Sequence, residues 1–75
     1  MNAKRREVIA NILRNVDALR SELEEVANQE REYFDNMPEA IQQGEKGEKA
    51  ESDATALEQA VSALEEAVSE MEGIE

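Results

Sequence analysis

Ile9-Ala10-Asn11-Ile12-Leu13-Arg14-Asn15-Val16-Asp17-Ala18-Leu19-Arg20-Ser21-Glu22-Leu23-Glu24-Glu25-Val26 returns to an apolar side chain at alternating steps of three and four. Ile9, Ile12, Val16, Leu19, Leu23 and Val26 carry the rhythm, and Glu30 and Tyr33 continue it. Such spacing sets one seam along a helix, with Ile9, Val16, Leu23 and Glu30 at heptad position a and the others at d. The second half of the chain repeats the pattern through Gly47, Ala50, Ala54, Leu57, Val61, Leu64, Val68 and Met71. Folding the chain back about position 40 pairs Ile9 with Met71, Ile12 with Val68 and so on to Tyr33 with Gly47, each pair of numbers summing to 80. Every pair joins a to d, the register of an antiparallel two-helix coiled coil.

The expected fold is therefore all-α: one helical-hairpin domain over residues 1–75, with helix 1 over about 3–35, a connection over 36–44 and helix 2 over about 45–72. Helix 1 has no Gly or Pro inside it, and Pro38 stops it because the residue before a proline is pushed out of the helical region. Pro38-Glu39-Ala40-Ile41 suits a single helical turn with proline at its first position, and Ile41 can fold back on Phe34. For helix 2, Gly44 is a tolerable cap, and a later start at Ser52-Asp53 is the alternative. Gly47 and Ala50 continue the heptad without a break, which favours the early start. Facing Tyr33, Gly47 would leave room for a large ring.

Flanking charges agree with the hairpin. Every e position of helix 2 is glutamate, at Glu51, Glu58, Glu65 and Glu72. Arg20 lies opposite Glu58 and Arg6 opposite Glu72, two expected cross-helix ion pairs. Lys4, Arg5 and Arg6 sit badly at their own helix N-terminus, but beside Glu70, Glu72 and Glu75 that conflict is offset. Glu30 is the one polar intruder in the seam, with Lys46 or Lys49 placed to neutralise it. A lone polar a position is first a device for fixing register.

Eight basic against 19 acidic side chains give a net charge of −11. Direct binding to nucleic-acid phosphates is opposed, since it needs clustered Lys and Arg. The same charge favours solubility and attraction to a partner with a basic surface. There is no cysteine, so no disulfide or thiolate-metal staple supports a chain this small. Long helix packing, self-association or both must take their place. No apolar run approaches membrane-spanning length, and the basic N-terminus leads into a mixed helical pattern rather than a signal-peptide core. A cytoplasmic protein without membrane contact is expected.

Chemistry is sparse. With no histidine, cysteine or tryptophan, Ser21, Ser52, Ser62 and Ser69 have no imidazole base to activate them. Glu24-Glu25 and Glu65-Glu66 are adjacent and diverge around the helix rather than converging on a substrate. Asp35-Asn36-Met37-Pro38 lacks the ligand spacing of a calcium loop, and no glycine-rich loop could cradle a phosphate. No catalytic residue, cofactor or metal site is expected, and the chain reads as a non-enzyme.

The hairpin carries more apolar residues than an a/d seam consumes. Ala56, Ala60, Ala63 and Ala67 form a second stripe on helix 2, extended by Ile74, while helix 1 adds Val8, Leu13, Ala27 and Phe34. Exposed alanines are also simply good helix formers, and Leu13 and Phe34 could widen the intramolecular core. The alternative is a docking face built from Ala56, Ala60, Ala63, Ala67, Ile74, Val8, Leu13 and Phe34. A homodimer forming a four-helix bundle is its simplest form.

Glu32-Tyr33-Phe34-Asp35-Asn36-Met37-Pro38-Glu39-Ala40-Ile41-Gln42, followed by Gly44-Glu45-Lys46-Gly47-Glu48, resembles the turn of a group of small acidic proteins of phages and other bacterial mobile elements. In that group a Phe-Asp-Asn-Met/Ile-Pro-Glu turn precedes a Ser-Glu-Arg segment and an acidic, alanine-rich helix. Here Gly44 and Lys46 replace that serine and arginine. The resemblance covers roughly the second half of the chain. It implies a helical hairpin of phage-like origin and brings no established activity with it. Small acidic proteins of such elements often bind and block a host or defence protein, and by that association an accessory inhibitor inside the host cytoplasm is expected. Two other functions are compatible with the sequence. One is a nucleic-acid mimic, with Glu51, Glu58, Glu65 and Glu72 as a charged ridge whose members stand about 10.5 Å apart by helix rise. The other is a phage structural or assembly component.

Overall fold

The computed structural model describes residues 1–74 and is a hairpin of two long helices joined by a short one. Helix α1 spans Ala3–Asp35, α2 spans Glu39–Gln42 and α3 spans Glu45–Glu72. The rod is 58 Å long and 14 by 13 Å across. Both long helices have the expected bounds, and α3 takes the early start with Gly44 as its N-cap.

The ends of each helix have local causes. Asn2 caps α1, its side-chain oxygen accepting the Arg5 amide at 2.8 Å, which satisfies one of the helix's free N–H groups. At the other end, Asn36 N–H donates to Glu32 O at 2.9 Å and Met37 N–H to Phe34 O at 3.0 Å. Pro38 then turns the chain as the extended cap of α2, with φ −56° and ψ 146°; the expected place inside the helix is off by one residue. Gln42 reaches back from α2 and donates to the Phe34 carbonyl at 3.0 Å. This side chain ties the connection to the end of α1 and gives the Phe34 carbonyl a second donor beside the Met37 amide. Ile41 stays exposed rather than folding onto Phe34.

Gly47 is buried, and its neighbour is not Tyr33. A Cβ at this position would collide with the Cα, carbonyl carbon and oxygen of Gln42. The first turn of α3 therefore lies directly against the backbone of α2, which only glycine allows. The room reserved for an aromatic ring is already filled by backbone, and Tyr33 is turned outward, half exposed.

That displacement belongs to a larger one. On α3 the expected seam is the observed seam: Gly47, Ala50, Ala54, Val61 and Val68 are buried and Leu57, Leu64 and Met71 half-buried. On α1 the a positions Ile9, Val16, Leu23 and Glu30 are half-buried as expected. The d positions Ile12, Leu19, Val26 and Tyr33 are exposed. Each is replaced in the seam by the next residue along the chain, Leu13, Arg20, Ala27 and Phe34. Helix α1 is thus turned by about 50° from the expected orientation, half of one residue's 100° step. Paired with α3, the covered positions now sum alternately to 80 and 81.

Sterics at the connected end account for the turn. Ala27 is 2% exposed and Ala54 is fully buried. With α2 wedged at Gly47, the helices run close there, and alanine on alanine fits where valine on alanine would hold them apart. Phe34 turns inward by the same rotation, and Arg31 lies over its ring at 5.8 Å from the centroid.

Candidate interaction surface

The interior of this hairpin is small. Its buried apolar residues are Ala27, Ala50, Ala54, Val61 and Val68, and among the described residues no large side chain is fully buried. By contrast Val8, Ile12, Leu19, Val26 and Tyr33 are each 45–58% exposed. They share one side of α1, at heptad positions g and d, because steps of four and seven residues return to the same face. A side chain such as leucine gains roughly 1.5–3 kcal/mol when moved from water to full burial, so this stripe leaves substantial binding energy unused.

The stripe is part of a wider face. Leu19, Glu22, Leu23 and Val26 line one shallow groove beside it. Val26, Glu30, Asp53, Ala56 and Leu57 line a second, which bridges from α1 to α3. Ala56, Ala60 and Ala63 are exposed and Ala67 is half-buried, so small side chains form the α3 border. The g positions along the α1 edge are Val8, Asn15, Glu22, Gln29 and Asn36, with a single charge among them. In a chain that is 36% charged, this low density marks the edge as suited to burial.

Of the docking face expected from sequence, Val8, Ala56, Ala60, Ala63 and Ile74 are exposed. Leu13 and Phe34 are not surplus: both are half-buried toward α3. The rotation of α1 exchanges them for Ile12, Leu19, Val26 and Tyr33, which the a/d reading had assigned to the core.

The opposite edge carries the charge. Glu51, Glu58, Glu65 and Glu72 are all exposed. Glu58 is held by Arg31, whose Nε and Nη2 donate to its two oxygens at 3.0 and 2.8 Å, with Thr55 Oγ1 at 3.4 Å from the same guanidinium. The hydrogen bond from Arg31 holds the Glu58 carboxyl below the usual glutamate range. Arg20 does not reach Glu58 as expected. It donates to Asp17 at 3.0 Å and also pairs with Glu24, both on its own helix. That hydrogen bond to Asp17 raises its pKa, and Glu65 adds a weaker attraction. Its long stem can line the seam while the guanidinium stays on the helix surface. No Arg6–Glu72 bridge forms. Lys4, Arg5 and Arg6 make no ion pair with any described carboxylate; Glu75 lies outside the described residues. Lys49 bonds Asp53 at 2.8 Å. Its pKa is raised mainly by that bond, while Glu30 adds to the shift through space only.

Comparison with protein-family models, curated proteins and solved structures finds no match. The surface must be read from its own chemistry. Among the described residues, no cluster of three or more acidic side chains is arranged to hold a metal ion. No helix among the described residues is long and apolar enough to cross a membrane. Asn2, Arg31 and Gln42 are structural contributors that the heptad did not indicate. Asn2 carries a readable signal, an N-cap residue immediately before a periodic run. The reach of Gln42 to Phe34 has none.

Proposed function

We propose that this chain is a non-enzymatic protein-binding hairpin that acts by laying the apolar side of α1 on another protein surface. The observation that carries this is the exposed stripe Val8, Ile12, Leu19, Val26 and Tyr33 beside an alanine border, on a hairpin with so small an interior. Exposed contiguous apolar surface of this kind marks an interaction site. The helix-in-groove mode, with anchors one or two turns apart, is the physical template.

With the resemblance of its turn to small phage proteins, the role we assign is an accessory protein in the bacterial cytoplasm. It occupies a surface on a host or defence protein and so inhibits it. The acidic edge favours partners with basic surroundings. Self-association into a homodimeric four-helix bundle uses the same face.

The test is affinity capture from a bacterial lysate with the native chain and with Leu19→Asp/Val26→Asp. Both positions are exposed, so the variant stays helical by circular dichroism. Proteins captured by the native chain and lost from the variant are the expected outcome. Identical capture by the two would overturn the assignment.

A further inference from the structure

We propose that the stripe on α1 is first occupied by a second copy of this chain, with the two α1 helices running antiparallel across a two-fold axis at Glu22. This rests on the protein-binding reading and specifies one occupant and its geometry.

Three observations converge. The first is register. The stripe and its edge run Val8, Ile12, Asn15, Leu19, Glu22, Val26, Gln29, Tyr33 and Asn36, in alternating steps of four and three. Laid antiparallel on itself, it pairs Ile12 with Tyr33 and Leu19 with Val26, both summing to 45. It also pairs Val8 with Asn36 and Asn15 with Gln29, both summing to 44, and brings Glu22 to its own counterpart. These layers join d to d and g to g, unlike the a-to-d layers inside the hairpin, and the two-fold axis maps each onto itself, as an isologous contact needs.

The second is charge. Residues 3–20 of α1 carry five basic and two acidic side chains, a net +3, whereas residues 21–35 carry one basic and six acidic, a net −5. Antiparallel α1 helices set the positive half of each copy against the negative half of the other. Parallel helices would set like against like. Lys4, Arg5 and Arg6, unpaired with described carboxylates within the hairpin, come toward the Asp35 end of the second copy's α1. The third is area. A helix of 33 residues presents a strip about 50 Å long and 10 Å wide. The exposed alanines of α3 widen it toward the roughly 800 Å² per partner of a standard interface.

Glu22 is then the one charge the interface must accommodate, facing its own copy at the axis. It limits the affinity, which keeps the face exchangeable for another protein. Neutralising it has a direction opposite to most interface substitutions.

The chain has no cysteine, so single-cysteine variants report only contacts between copies. Under mild oxidation Glu22→Cys is expected to form a disulfide-linked dimer. Ile12→Cys and Tyr33→Cys should each do so poorly alone but join each other when mixed. Sedimentation equilibrium between 10 µM and 1 mM, on the order of weak self-association constants, should show a monomer–dimer equilibrium. Glu22→Gln should tighten it several-fold, and Leu19→Asp should weaken it at least tenfold. Equal self-linking at positions 12, 22 and 33 would indicate parallel helices and overturn the arrangement. A native chain monomeric throughout that range would overturn self-association itself. The wider protein-binding reading would survive that result if the lysate partner were still lost from Leu19→Asp/Val26→Asp, so the two failures are distinguishable.

Discussion

Helix α1 has two apolar flanks beside its a positions, and α3 covers the poorer one. The covered flank is Leu13, Arg20, Ala27 and Phe34; the open flank is Ile12, Leu19, Val26 and Tyr33. Apolar content alone would have chosen the second. Close packing chose the first, because the small pair Ala27 and Ala54 admits a near approach at the connected end and α2 already fills the space above Gly47. A hairpin that uses its weaker flank internally leaves its stronger flank exposed, and the proposed docking face is that flank. The difference between the flanks therefore links packing to the proposed function.

The comparison breaks most visibly at the tightest point. Ala27→Leu should destabilise the hairpin by about 2–3 kcal/mol through overpacking, read by urea unfolding under circular dichroism. Val26→Leu, one residue away on the open flank, should change stability by less than about 0.5 kcal/mol in dilute solution. Equal effects would erase the distinction between the flanks.

Gly47→Ala offers a contest of sign. Helix propensity alone makes alanine the better residue by about 1 kcal/mol. The collision with Gln42 backbone demands that α2 move, and the expected outcome is a net loss of about 1–2 kcal/mol in thermal unfolding. A gain would show that α2 does not pack where it is placed.

A smaller effect separates two leucines. Leu13→Ala should cost about 1 kcal/mol, as suits a half-covered side chain. Leu19→Ala, measured at the same dilution, should cost under about 0.5 kcal/mol.

The smallest effect is electrostatic. Because Arg31 lowers the Glu58 pKa, the folded state holds that proton less tightly than the unfolded chain. The bridge contributes stability above the ordinary glutamate pKa of about 4.3 and loses it as pH falls through the lower folded value. The stability gap between the native chain and Glu58→Gln should be present at neutral pH and close below about pH 4. A gap that persists unchanged in acid would mean the bridge is not its source.

Much of this architecture is legible in the heptad. Helix bounds, the antiparallel turn-back and the whole seam of α3 follow from it, because on α3 the larger apolar side chains Leu57, Val61, Leu64, Val68 and Met71 all fall on one pair of positions and only alanines stand beside them. On α1 positions a, d and e are all usable, and a one-residue choice between d and e changes the summed register only from 80 to 81. Nothing in the spacing decides that choice. It depends on how closely the backbones approach, which in turn depends on Gln42 filling the space at Gly47. Arg20 in the seam also argues against e from sequence, and is tolerated because Asp17 and Glu24 hold its guanidinium at the helix surface. The candidate face inherits that ambiguity: its α3 border of Ala56, Ala60 and Ala63 is readable, whereas its α1 stripe emerges only once the rotation is known.

Adjacent residues on α1 give the most direct test. Val26 is 46% exposed and Ala27 is 2% exposed, and the chain has no other thiol to confuse a labelling reaction. In dilute solution Val26→Cys should react with a maleimide at close to the rate of a free thiol, and Ala27→Cys at least tenfold more slowly. Faster labelling at position 27 than at 26 would place α1 in the a/d orientation and contradict the account.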